Sequence, residues 1–244
     1  RQGSPLERTT EVGTSNAETH PPARAWYVGI DLTDPFAHTS RPVTLALMDR
    51  WRRVRFVTWT YDPTGERMIP EHVAAEGFVV AIDGPQGLAA RGRSMRQAER
   101  VLRAPGKSGE TFAGAGRPYA GFIRGSVELF GALRKSGFGL LGEAPWETTA
   151  LLEVYPGDAW PKWAGRRPPK KSLPAGRRAR YDILREHGLE LPVGCDAITH
   201  DQLDAAAAAF LAYLWATGNA REFGDPPVWD AEAGCIREGI IVSV

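Results

Sequence analysis

An α/β fold with a mixed, five-stranded central sheet is predicted by three observations. Two apolar runs each end in an Asp, two β-rich segments are joined by a short turn, and a late Ala-rich helix carries its own capping signal. The run at 26–31, WYVGID, reads as a buried strand. Residues 43–48 and 54–60 read as two further strands turning at Asp49 and Arg50, which makes a meander with the first. The run at 78–83 is continuously apolar up to Asp83 and is stopped by Gly84 and Pro85, the pattern of a central strand buried on both faces. A fifth strand is expected at 151–155, closed by Pro156 and Gly157.

Helices are expected at 94–103, from Pro118 to about 135, at 177–187, and from 199 or 200 onward. In the first of these Arg93, Arg96, Arg100 and Arg103 recur at helical spacing and share a face. In the last, Thr199 and Gln202 form a capping box, and Asp201 and Asp204 lie three residues apart on one face. Continuing that face gives Ala205, Ala208 and Ala212, whose small side chains let a helix approach a sheet closely.

With 244 residues and 43% hydrophobic content, the chain suits one sizeable domain. We expect a flexible tail over 1–24 and a domain over 25–244 with basic insertions around 105–121 and 162–180. Cys195 and Cys235 are too few for a disulfide framework and lack zinc-ligand spacing, which favours reduced thiols and a cytoplasmic location. No apolar run approaches membrane-spanning length, and the first residues lack a signal-peptide hydrophobic region, so no membrane partner is expected.

Four aspartates carry the chemical signal. Asp31 and Asp83 end apolar strands, and Asp201 and Asp204 open the late helix. Ionised groups in apolar sequence are costly unless they are paired or bind a cation, and clustered carboxylates select hard divalent ions such as Mg2+ or Mn2+. Glu153, flanked by Leu151, Leu152 and Val154, is a fifth ligand or else orients a cationic side chain. Each has a plainer explanation: Asp-Gly is a common turn dipeptide, and Asp201 suits the first turn of any helix.

The net charge is only +1, but it is unevenly placed. Residues 91–124 carry eight basic and two acidic residues, and 159–181 carry eight basic residues and no acid. Two basic segments in an otherwise acidic chain suggest a polyanionic partner, nucleic acid above all. Arg96, Arg100, Lys107, Arg117, Lys170 and Lys171 are the candidate phosphate-binding residues. His200 beside Asp201 is a candidate proton shuttle, and Trp160 and Trp163 are candidates either for base stacking or for the core.

The ordered set GID, IDGPQGL, RQAERVLR, EVYP and DQLDAAAAAFLA resembles the DUF429 family over roughly residues 26–244. That resemblance implies a ribonuclease H-like, three-layer α/β/α fold and a nuclease activity. The superfamily places acids on its first strand, its fourth strand and a late helix, which here match Asp31, Asp83 and the pair Asp201 and Asp204. The family's EVHP-like strand matches Glu153, with Tyr155 where His is common, and its Arg-rich segment matches Arg96 and Arg100. The implied reaction is phosphodiester hydrolysis by a two-metal carboxylate mechanism with ions about 4 Å apart, in which Asp31, Asp83, Asp201 and Asp204 hold metal and Glu153 assists. Two alternatives stay open. One is an actin-like or sugar-kinase-type ATP-dependent phosphotransferase, suggested by GIDLT; the other is a non-catalytic nucleic-acid-binding module.

Overall fold

The computed structural model describes residues 25–39, 41–105, 107–114, 116–143 and 149–244. The tail expected over 1–24 lies outside these residues. The first strands form where β-branched and large apolar residues run without interruption: β1 (Trp26–Asp31), β2 (Val43–Asp49) and β3 (Val54–Trp59). A short helix, α1 (Glu71–Glu76), leads into β4 (Phe78–Asp83). Then come α2 (Gln97–Leu102), α3 (Ala120–Lys135), the two-residue β5 (Gly139–Leu140) and β6 (Thr149–Val154). Three helices follow: α4 (Pro156–Ala164), α5 (Pro174–Glu186) and α6 (His200–Ala216). The chain closes with four three-residue strands, β7 (Arg221–Phe223), β8 (Val228–Asp230), β9 (Cys235–Arg237) and β10 (Ile241–Ser243).

The main sheet runs β3-β2-β1-β4-β6-β10-β7, with β5 also on β6. It therefore has eight strands rather than five. The five expected strands occupy consecutive places, and short segments extend the far edge. β1, β2 and β3 pair antiparallel, whereas β1, β4, β6 and β10 pair parallel. In the β1–β4 register Asp31 lies opposite Asp83, so the two acidic strand ends are direct neighbours.

Side-chain parity assigns the faces. Tyr27, Val79, Ala81, Leu152 and Val154 pack with α6, α4 and α5 on one face, and Val28, Ile30, Val80, Ile82 and Leu151 pack with Leu129, Phe130 and Leu133 of α3 on the other. α6 is almost wholly apolar, with Ala205 to Ala209 all buried. It lies so close to β1 that a Cβ on Gly29 would come 2.1 Å from the Ala205 carbonyl oxygen and 2.2 Å from the Ala209 nitrogen. Only glycine fits that seam. Thr199 caps α6, its hydroxyl accepting from the Gln202 N–H while the Gln202 side chain accepts from the Thr199 N–H.

Two expectations are corrected here. The arginine-rich helix spans only Gln97–Leu102, so Arg93 lies outside it, Arg96 is its N-cap, and no four-arginine face exists. β6 ends at Val154, just before Pro156 as expected, but Pro156 and Gly157 then open an unexpected helix, α4, with Pro156 in its first turn, where its missing N–H costs nothing. Both cysteines are buried and free. Among the described residues no helix is long and apolar enough to cross a membrane.

Candidate functional site

Asp31 and Asp83 have the same parity as Tyr27 and Ala81, so both turn toward the α6 face of the sheet at its carboxyl end. Asp204 comes down to meet them from the second turn of α6. The charge of Asp204 acts on both strand-end carboxyls, and that of Asp83 acts on Asp31. Burial, followed by the charges of Asp204 and Asp83, raises the Asp31 carboxyl well above the usual carboxylate range. Burial, followed by Asp204, pushes Asp83 up to about 7.

Lys171 is the cation bonded to this cluster among the described residues, and Arg180 acts on Asp204 from farther away. Lys171, on the loop between α4 and α5, places its ammonium 2.6 Å from Asp204 Oδ2. The other Asp204 oxygen accepts the Trp160 indole N–H at 3.0 Å. The Lys171 loop is held by its own backbone: a Cβ on Gly176 would lie 1.9 Å from the Lys170 carbonyl oxygen, so loop and α5 touch directly. Arg180 ties the same loop down by donating to the Pro169 and Gly176 carbonyls. Among the described residues, neither Asp31 nor Asp83 accepts a hydrogen bond through its carboxylate, so their lone pairs face the cleft.

The cleft has a volume of about 500 Å³ and is lined by Asp31, Asp83, Lys171, Tyr119, Phe122 and Tyr155, among others. Burial first, then the charge of Asp83, raises the Tyr155 phenol, so it stays a proton donor at neutral pH. Asp201 stands at the edge. It lines a groove against β2 and β3 with Arg41 and Thr44, and His200 Nδ1 lies 2.7 Å from its Oδ1.

Glu153 is different. In the parallel register it pairs with Ile82, so it projects to the α3 face, opposite Asp31 and Asp83. There it receives both guanidinium nitrogens of Arg96 at 2.6 and 2.5 Å and the Gln86 backbone N–H at 2.9 Å. Arg96 in turn donates to Glu99 at 2.9 Å, and Glu99 accepts the Ser108 N–H. Arg96 is 1% exposed. Its guanidinium is taken up by these two carboxylates, although the residue also lines the cleft, and Glu153 orients this cation while adding its charge to the field on Asp83.

The remaining basic candidates scatter. Arg100, Lys107, Arg117 and Lys170 are exposed and do not line the acidic cleft, whose basic lining residues are Lys171 and the ion-paired Arg96. Much of the basic charge is neutralised locally: Arg91 by Asp230 and Glu232, Arg93 by Asp225 and Glu238, and Arg124 by Glu128. Trp160 is buried and Trp163 packs against it, His187 and Phe210, so neither is a stacking surface. Sequence reasoning missed the roles of Trp160 and Gln86 because each depends on a partner far away in the chain, and that of Glu99 because its bond to Arg96 three residues away looks like an ordinary surface pair. Gln86, whose side chain donates to the Ile240 carbonyl, is the fifth residue of the IDGPQG stretch and the one recoverable signal.

A family model described as a protein of unknown function, DUF429, matches residues 29–228. The chain belongs to the DUF429 family. Comparison with curated proteins and with solved structures finds no match. In this DUF429 chain the matched span contains the whole acidic cluster together with Lys171 and Trp160.

The donor set suits a hard divalent cation: it consists of carboxylate oxygens, carries net negative charge, and presents two members with open lone pairs. Among the described residues no three acidic side chains are spaced as ligands of one ion, and the Lys171 ammonium lies against Asp204.

Proposed function

We propose that the cleft hydrolyses phosphodiester bonds in nucleic acid with the help of Mg2+ or Mn2+. The observation that carries this reading is the meeting of Asp31, Asp83 and Asp204 from three separate elements beside a cleft, where Lys171 is bonded to one of the three carboxylates. A structural role for so many buried like charges has no energetic return, whereas a cation site needs them. The strand order, with an antiparallel meander followed by parallel strands and acids at the ends of β1 and β4 and on a late helix, supports a ribonuclease H-like arrangement.

Asp31, Asp83 and Asp204 would hold the cations, with Asp201 at the margin. When bound, these ions would activate an attacking water and stabilise the leaving oxygen. The chain's own residues do the rest. Trp160 fixes the rotamer of Asp204 through its indole hydrogen bond. Lys171, on a side chain 47% exposed, offers a mobile ammonium to a phosphate oxygen. Tyr155, which lines the same cleft with its phenol held protonated, would donate a hydrogen bond to the bound phosphate.

Titration with Mn2+, followed by thermal shift and by cleavage of labelled oligonucleotides, tests this reading. Saturable Mn2+ stabilisation together with Mn2+-dependent cleavage is expected. Mn2+ stabilisation that is absent in wild type, or that persists unchanged in Asp31→Asn, would overturn it. Stabilisation by ATP instead would point to a phosphotransferase.

A further inference from the structure

We propose that the substrate is a single-stranded nucleic acid whose unpaired bases stack on an aromatic rim formed by Tyr119 and Phe36. The proposal rests on the hydrolase reading above and specifies the form of its substrate.

Large aromatic side chains left in water gain nothing from the fold, and the described residues include few of them. Tyr119 is 51% exposed and Phe36 is 53% exposed. Both stand beside the acidic cleft. Tyr119 lines that cleft directly, and its phenol lies close enough to Tyr155 for the two to interact electrostatically. It is held there by a left-handed backbone, φ 63°, at the start of α3, a conformation uncommon for a non-glycine residue. Phe36 lines an adjoining groove of about 480 Å³ with Arg117 and Arg124. Asp34 lines both the cleft and the groove, so the two adjoin at that residue.

The rim is built rather than accidental. Asp34 Oδ1 accepts the Phe36 N–H at 2.9 Å, and a Cβ on Gly121 would lie 2.1 Å from the same oxygen, so the Phe36 turn and the start of α3 interlock. These contacts occupy one oxygen of Asp34, the acid that lines the groove. The Arg124 guanidinium stacks 5.3 Å from the Phe36 ring centroid while bonded to Glu128, and Arg117 is exposed with no ion pair among the described residues. Aromatic faces alternating with guanidinium groups match unpaired bases on a phosphate backbone. A duplex hides its base faces inside the stack and cannot use them.

The experiment uses the full chain and fluorescein-labelled probes: oligo(dT), oligo(U), and a hairpin duplex of equal length, read by anisotropy in EDTA and in Ca2+. The two single strands separate DNA from RNA as the source of the shared chemistry. Both, or one, should bind at least tenfold more tightly than the duplex. Tyr119→Asn, which keeps the left-handed backbone, should weaken single-strand binding about tenfold, the scale of one lost base stack. Phe36→Ala should act in the same direction, Tyr119→Trp should restore binding, and duplex binding should not change. Equal affinity for duplex and single strand, or unchanged binding by both rim variants, would overturn the inference while leaving the hydrolase reading intact. Loss of all oligonucleotide binding in a wild-type protein that still binds Mn2+ would overturn the inference and the nucleic-acid part of that reading together.

Discussion

Two buried charge clusters sit at the same end of the sheet and obey opposite rules. Around Arg96, every charge is answered: Glu153 takes two guanidinium nitrogens, Glu99 takes the third, and backbone N–H groups of Gln86 and Ser108 fill remaining carboxylate lone pairs. Around Asp204, three carboxyl groups share one half-exposed lysine, and the carboxylates of Asp31 and Asp83 accept no hydrogen bond among the described residues. A saturated cluster locks the chain and has no capacity left for a ligand. An unsaturated one is costly to fold and keeps valence for something else. Sequence alone makes all of these acids look alike.

The largest effect that can break this contrast is on stability. Glu153→Ala should cost about 3–5 kcal/mol by leaving two buried guanidinium nitrogens of Arg96 without a partner, Glu99 holding only the third, while a joint Arg96→Met, Glu99→Gln, Glu153→Leu replacement should recover much of it. Denaturant unfolding measures both, and a single-variant loss under about 1 kcal/mol would show that the Arg96 cluster is not architectural.

The reverse should hold next door. Asp204→Asn keeps an oxygen for Trp160 and releases Lys171 to solvent, so stability without metal should change little. Mn2+ affinity should fall at least 100-fold, about 2.7 kcal/mol by calorimetry. Equal Mn2+ affinity in both proteins would erase the distinction between the clusters.

A smaller change sharpens it. Lys171→Met removes the cation that an incoming metal must displace, so Mn2+ should bind several-fold more tightly at pH 8, on the order of 1 kcal/mol. Weaker binding would show that the lysine helps to hold the site together.

The smallest expected effect is a slope. Asp83 titrates near 7 in the fold and near its ordinary acid value when unfolded, so the folded protein favours the protonated form. Its contribution to stability is present at the acid end of that window and is lost as pH rises toward 7. Compared with Asp83→Asn, the metal-free wild type should therefore lose thermal stability on going from about pH 4 to about pH 7. Parallel melting curves across that range would contradict the burial and crowding assigned to this group.

Much of the frame was legible because its signals are local. The apolar runs ending at Asp31 and Asp83 and the Thr199–Gln202 box each announce themselves within a few residues. The strand pairing that sends Glu153 to the far face is not local. It depends on which residue of β4 it faces, and the acid would change sides with a shift of one position. The arginine repeat misled for a related reason. Spacing alone cannot tell a solvated stripe from one in which Arg96 finds two carboxylates, one of them 57 residues away. The terminal strands were missed because three-residue segments carry no period, and α4 because Pro156 marks a helix start as readily as a stop.

The bare backbone of Gly29 has a mechanical consequence. Because α6 touches β1 through main-chain atoms, the spacing between the strand that ends in Asp31 and the helix that carries Asp204 is set by van der Waals contact of the two backbones and not by the fit of movable side chains. The seam behaves as a fixed gauge. Substitutions elsewhere in the core can loosen or tighten the packing, yet the separation of these two acids should hold until the gauge itself is widened, as a single methyl group at position 29 would do.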